Sequence, residues 1–341
     1  MKSAKRDQIV AIDLGSRVTK AVHLRRNGAK FDLLRYVIQD VTTPDLLAEH
    51  LKTVTQSLDA KTKFVTLVIG MGDSVLRNIE LPPLPVSEMR LMLKLNTKTY
   101  FQQELPDHSF DCHIMAPTIV AQQPGTPIVP QKYKVWVGGA KNQLVLDLQK
   151  ATRSVGLIPD QVTLSALGPV NAFENAHSET FAKDTVALVD IGFKNTTISI
   201  LTQGQLTLSR VVPIGGDKIT TGLSELLGIS YIEAEGIKIG MPGEVQSNLQ
   251  TLLTPLGREL RASIDFFEHQ FEKSVSHVYL SGGGARSEVL IHALQTDLML
   301  PCTNWDPTAT LNNALPPQQA SEVKQVAAQL TVALGAALSS F

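Results

Sequence analysis

An apolar run that ends in an acid, with glycine two residues on, occurs twice in this chain and constrains its fold more than any other feature. The first copy is Ile9-Val10-Ala11-Ile12-Asp13-Leu14-Gly15-Ser16 and the second is Val186-Ala187-Leu188-Val189-Asp190-Ile191-Gly192. Each reads as a buried strand feeding a tight turn with a carboxylate at its mouth. The continuations also match. Val18 to Leu24 is followed by Asn27-Gly28, and Thr196 to Leu201 by Gln203-Gly204, so each copy adds a second strand and a hairpin signal. One supersecondary unit is therefore used twice. Two such turns facing each other across a cleft can hold a nucleoside triphosphate between two carboxylates.

The chain is long enough for two domains with separate cores, with 341 residues of which 43% are hydrophobic. Lys and Arg number 31 against 32 Asp and Glu, and no stretch is densely basic, which argues against a nucleic-acid surface. The small basic spots at Lys2, Lys5 and Arg6 and at Arg25, Arg26 and Lys30 read as a solvated tail and a solvated hairpin tip. Cys112 and Cys302 stand far apart and outside any metal-like spacing, which suits a reducing cytosol. The first residues are charged without an apolar core of the signal-peptide kind, and no apolar run reaches the roughly 18 residues of a spanning helix.

Periodicity predicts strands near 8–13, 18–25 and 31–38, a helix over 44–58 with Pro44 and Asp45 at its start, and a strand over 64–69. The second half repeats this order: strands near 185–190, 196–202 and 205–212, a helix near 217–227 and a closing strand at 277–280. Helices over 231–239 and 245–271 fill the longer gap of the second copy. In the first half, Pro82, Pro83 and Pro85 break the chain, and Ser87 is expected to cap a helix running to Phe101. Strands near 109–116 and 132–140 flank a Pro/Gln/Gly-rich loop, 117–131, and a helix near 142–155 ends at Gly156. A helix over 161–176 is expected to return the chain to the first domain, and Ser321 to Ser340 to form the closing helix of the second.

Gly15 would let backbone N–H groups approach a phosphate, Ser16 adds a hydroxyl, and Lys20 sits where a hairpin returns its ammonium to the turn. Asp13 and Asp190 would hold magnesium, mostly through water. Asn195, Thr196 and Thr197 are the polar donors of the second turn. Gly282-Gly283-Gly284-Ala285-Arg286, between a strand and a helix, allows close passage of an adenine or ribose, although such glycine turns are common. Glu235 and Lys238, three apart on a helix, read on spacing alone as an exposed ion pair. No residue with motif support positions water for hydrolysis; Asp160 and Gln161 are nearby polar residues that fit a loop equally well.

In the order of these elements the chain resembles the superfamily of actin, heat-shock chaperones and sugar kinases. Asp13, Gly15, Ser16 and Lys20 fit its first phosphate motif, Asp190 and Gly192 its second, and Gly282 to Gly284 its adenosine motif. An inserted module between the two phosphate motifs looks like that of FtsA-type cell-division proteins and of the PilM-type type IV pilus assembly proteins. The PilM-type likeness is carried by Ile79-Glu80-Leu81-Pro82-Pro83-Leu84-Pro85, by Ala151 to Pro159, and by Arg210 to Thr220 with Pro213-Ile214-Gly215-Gly216-Asp217. Ala234-Glu235-Gly236-Ile237-Lys238 and Leu280 to Arg286 extend it. The resemblance implies an α/β actin-like ATPase fold, with two duplicated ribonuclease-H-like domains, an FtsA/PilM-type 1C subdomain and a 2B subdomain. On that division 1–73 and 159–183 form 1A, 74–158 form 1C, 184–216 and 274–341 form 2A, and 217–273 form 2B. It adds Gly215, Gly216, Glu235, Lys238 and Arg286 to the expected nucleotide contacts.

The same resemblance implies ATP with Mg2+ as a structural or switching ligand, and the cytoplasmic N-terminal tail of a PilN-like membrane protein as partner. The protein is then expected in the cytoplasm at the inner face of the membrane, joined to other pilus platform proteins. The inserted module is expected to offer a groove for that tail; its helix carries Met89, Met92, Leu93 and Leu95, of which some or all pack against the module's own sheet and any others serve as anchors. Two departures stand out: Arg17-Val18 follow Ser16 where the family often has serines, and Phe193-Lys194 replace small residues after Gly192. The alternatives are an FtsA-like filament former, which would carry a membrane-binding tail beyond the last helix, and a sugar-kinase-type phosphotransferase. The latter needs a catalytic carboxylate in the first domain that the sequence does not offer in a recognisable context.

Overall fold

The computed structural model describes residues 7–41, 47–115 and 132–341. The chain divides into two compact units, Met1–Gly70 with Ala151–Phe341, and Met71–Lys150.

The larger unit begins with β1 (Gln8–Leu14), β2 (Val18–Asn27), β3 (Lys30–Asp40), α1 (Leu47–Leu58) and β4 (Phe64–Ile69). The expected start of α1 at Pro44 and Asp45 lies outside the described residues, as do the tail Lys2 to Arg6 and most of the loop after Ile114. β1 pairs antiparallel with β2 and parallel with β4, and β2 pairs antiparallel with β3.

The smaller unit holds β5 (Ser74–Leu81), α2 (Val86–Leu95), α3 (Thr97–Phe101), β6 (His108–Ile114), β7 (Tyr133–Lys141) and most of α4 (Asn142–Ser154). Its antiparallel sheet runs β5-β7-β6 and buries Leu81, Met89, Leu93, Phe101, Phe110, Val135 and Val137. Three expectations change here. β5 is a third strand that the Pro-rich stretch after it obscured. The helix expected to be continuous to Phe101 breaks at Asn96, whose side chain donates to Met92 O at 3.0 Å and so competes with the helical ladder. Ser87 caps nothing; Pro85 occupies the cap position. Met89 and Leu93 belong to the module's own core, while Leu91 and Leu95 are exposed.

The chain returns as β8 (Ile158–Leu164), where a helix starting at 161 was expected. Thr163 and Leu164 are buried, and β8 pairs in parallel with β4, so the sheet edge overrode a helical pattern. α5 (Leu167–Ala176) and α6 (Ser178–Lys183) follow. The repeat then comes as β9 (Thr185–Ile191), β10 (Thr196–Thr202), β11 (Gln205–Val212), α7 (Gly216–Leu227), α8 (Tyr231–Gly240), α9 (Gln246–Phe271) and β12 (His277–Ser281). β9 pairs antiparallel with β10 and parallel with β12, as β1 does with β2 and β4. The chain ends in α10 (Glu288–Leu298), β13 (Cys302–Asn304), β14 (Asn312–Asn313) and α11 (Pro317–Leu338).

Two sheets result, β14-β3-β2-β1-β4-β8 and β11-β10-β9-β12-β13. The last segment crosses back to the first: β14 pairs in parallel with β3, and Asn312 donates to buried Asp32 at 2.8 Å. α11, grouped in sequence with the second half, therefore packs Val323, Leu330 and Leu334 against Ile9, Val22 and Leu24 of the first sheet. In exchange, α5 places Phe173 with Val186, Leu188 and Trp305 of the second. Each such buried aliphatic or aromatic side chain contributes about 1.5–3 kcal/mol. α5 and α11 cross at glycines, since a Cβ on Gly168 would stand 2.7 Å from Val332 O and one on Gly335 would meet Gly168 O. The two halves of the larger unit are thus locked by exchanged helices.

Candidate functional site

The pairing registers explain why the two acids face one cleft. Asp13 lies near the end of β1 opposite Lys20 of β2 and Val68 of β4. Asp190 holds the same place in the repeat, opposite Thr197 of β10 and Ser281 of β12. Cross-strand neighbours share a sheet face, so Lys20 Nζ reaches Asp13 Oδ2 at 3.2 Å. Ser281 Oγ likewise donates to Asp190 Oδ1 at 2.8 Å. Burial pushes the Asp190 carboxyl above its ordinary value; the Ser281 hydrogen bond and the Lys20 charge oppose this, and the Asp13 charge reinforces it. The two acids of the repeat and Lys20 therefore form one charge cluster.

Each turn is held by its own backbone. Gly15 N donates to Asp13 O, and a Cβ on Gly15 would collide with Val18 O and Lys20 Nζ. Ser16 is exposed at the mouth. In the second turn Gly192 N donates to Asn195 O, and Gly216 N and Asp217 N donate to Gly192 O and Phe193 O. Gly215 is required because a Cβ there would strike Phe193 O. These bonds use Gly192, Gly215 and Gly216 to brace the turn against the start of α7. Thr196 is not a free donor at the mouth: it is fully buried and its hydroxyl donates to Ile214 O at 2.7 Å.

The glycine run divides in the same way. Gly282 has φ +85°, and a Cβ there would lie 2.5 Å from Ile191 O, while one on Gly284 would lie 2.6 Å from Ile191 Cγ2. Both are demanded by packing against β9. Gly283, alone in this run, is exposed with nothing within 4 Å of a Cβ. Arg286 is exposed one turn further on.

α8 brings Glu235 and Lys238 to the same cleft. They pair at 2.6 Å, with side chains only 16% and 18% exposed, so the exposed-pair reading fails. Thr220 of α7 donates to Glu235 Oε2, and Lys238 Nζ also reaches Gly216 O at 3.3 Å. Burial pushes the Glu235 carboxyl up, but Lys238, Thr220 and Arg17 outweigh it and hold it below its ordinary value. Asp217 accepts from Lys194 at 2.7 Å and from Tyr231 at 3.0 Å.

Sequence reasoning treated Arg17, Phe193 and Lys194 only as departures and passed over Ser281, Thr220 and Tyr231. Ser281 had a usable signal, its place immediately before the glycine run on the strand that closes the repeat. Arg17 had none, because its partner lies 218 residues away. Gln161 lies on the edge strand β8, where it pairs with Thr66 of β4 and accepts from Ser340 Oγ at 3.4 Å.

No group of three or more His, Cys, Asp or Glu able to hold a metal occurs among the described residues. Two carboxylates in one charge cluster, one of them made more basic by burial, fit a magnesium ion that keeps most of its water.

A duplicated strand–hairpin–helix unit, helices exchanged between the halves and a cleft lined by both turns define the actin-like ATPase fold. The family described as type IV pilus assembly protein PilM matches residues 11–341, and the chain belongs to it. A solved PilM-PilN type IV pilus biogenesis complex is similar at a TM-score of 0.84, with 20% identity over 99% of both chains. MreB 5 of Spiroplasma citri bound to AMPPNP is similar in fold, at TM-score 0.52 and 10% identity over 97% of this chain and 95% of that one. Among curated relatives, the cell division protein FtsA of Bacillus subtilis (strain 168) is 41% identical over 78 residues. That match spans 23% of this chain and 18% of the FtsA length.

Proposed function

We propose that this chain is an ATP- and magnesium-binding scaffold of a type IV pilus inner-membrane assembly platform, and that it binds the N-terminal tail of a PilN-like membrane protein. The observation that carries the nucleotide reading is the cluster of Asp13, Lys20 and Asp190, built by equivalent positions of the repeat. In this reading Asp13 and Asp190 hold the hydrated metal, and Lys20 with the Gly15–Ser16 turn meets the phosphates. Glu235 and Lys238 take the ribose and base, and Gly283 gives the adenosine room. Of the expected contacts, Asn195, Thr196, Gly192, Gly215, Gly216, Gly282 and Gly284 act by shaping the turns.

Family membership and likeness to the solved PilM-PilN complex support the partner. Among the described residues no helix is long and apolar enough to cross a membrane, so a membrane position at the cytoplasmic face comes through that partner. Exposed Leu91 and Leu95 on the inserted module are available as peptide anchors.

The test is a pair of titrations on the full chain. A fluorescent peptide of the N-terminal tail of the PilN-like protein from the same organism should bind. The double variant L91D/L95D should lose most of that binding while keeping the thermal shift caused by ATP with magnesium. Wild-type affinity in the double variant removes the inserted module from the peptide site; absence of a shift with ATP in wild type removes the nucleotide.

A further inference from the structure

The Arg17 side chain leaves the first turn, which belongs to the first half of the repeat, and ends on α8 of the second. Its Nη1 lies 3.0 Å from Glu235 Oε1. The guanidinium also lies 5.2 Å from the centre of the Phe193 ring, within cation–π range, and that ring carries Lys194 Nζ at the same distance. Phe193 follows Gly192 directly, so the two stretches that depart from the family pattern meet in one contact across the cleft. The other oxygen of Glu235 is taken by Lys238 and Thr220. Both oxygens of Glu235 are thus engaged within the protein.

We propose that Arg17 is a built-in latch: it closes the cleft in place of a ligand, and nucleotide binding exchanges the Arg17–Glu235 ion pair for a ribose–Glu235 contact. The proposal rests on the nucleotide reading above. It accounts for the side chain's position, since a solvated arginine on an exposed turn has no need to span the cleft and stack on Phe193. It also gives the chain a closed scaffold that does not depend on nucleotide.

The experiment compares wild type, R17A and R17K as full chains. Amide hydrogen exchange is first followed without ligand. R17A should exchange faster over residues 231–240 and 14–18 while 185–191, in the sheet, stays unchanged, and R17K should fall between. Adenosine, which has a ribose but no phosphate to engage a cation, is then titrated. R17A should bind it about 1.5- to fivefold tighter, the range that loss of a competing, partly exposed ion pair releases. Unchanged exchange over 231–240 in folded R17A overturns the latch, and so does unchanged or weaker adenosine binding. Failure of all three proteins to bind either ATP or adenosine overturns the nucleotide reading and the exchange with it; the exchange rates still decide the closing contact separately.

Discussion

Ser281 stands directly opposite Asp190 in parallel register and donates its hydroxyl to Asp190 Oδ1 at 2.8 Å. Val68 holds the equivalent place opposite Asp13 and offers no such donor, so the duplicated acids are not chemically equal. Asp13 is paired with Lys20, whereas Asp190 takes its hydrogen bond from Ser281, and burial raises its carboxyl above the ordinary value.

ATP with magnesium at a hundredfold excess over its dissociation constant should stabilise the wild type by about 2.7 kcal/mol. D13A and D190A should each abolish this shift in a thermal melt. A full shift in both would remove these acids from the site.

Without ligand, D190N should raise the melting temperature at neutral pH. The folded-state pKa of Asp190 is raised, so the carboxyl's contribution to stability is fully present below its unfolded pKa and is lost as pH rises through the folded value. The advantage of D190N should accordingly shrink as the melt is repeated at acid pH. A variant less stable than wild type at pH 7 would show that the carboxylate is structurally required.

Gly282 and Gly283 should separate folding from binding. G282A forces a side chain into φ +85° against Ile191 O and should cost at least about 2 kcal/mol in urea unfolding. G283A meets nothing within 4 Å and should leave the unfolding midpoint unchanged while weakening ATP. Equal losses of stability in both would contradict the division of roles.

His23 supplies a second pH test, away from the cleft. It is buried on β2, accepts or donates at 2.9 Å with Gln8 Oε1, and burial, then Arg35 and Arg25, lower its pKa to about 4. A depressed histidine is neutral when folded but protonates when unfolded, so stability should fall as pH drops from about 6.5 toward 4. The loss should be about 2 kcal/mol after allowance for solvent screening. H23Q, which can still hydrogen-bond Gln8, should flatten that part of a urea-midpoint profile; an unchanged slope would assign the acid loss to other groups.

The sequence by itself determined the repeat, because each copy is written in local signals: an apolar strand, an acid, a glycine turn and a hairpin. It also brought Asp13 and Lys20 together, since cross-strand neighbours share a face, and it marked Asp190 as the equivalent acid of the repeat; the Glu235–Lys238 pair, exposed on spacing alone, entered the site only through the family resemblance. It misread 161–164 as helix and assigned α11 to the wrong half, because both outcomes depend on which sheet offers a free edge or an uncovered face. Thr196, Gly282 and Gly284, read from the sequence as ligand contacts, also meet Ile214 and Ile191, contacts the sequence could not show. Only the tertiary structure decided that α5 and α11 cross at Gly168 and Gly335, and that Arg17 reaches Glu235. Those contacts join residues more than 160 positions apart, and nothing local in the chain encodes a distance that arises only when two separately formed sheets are brought together.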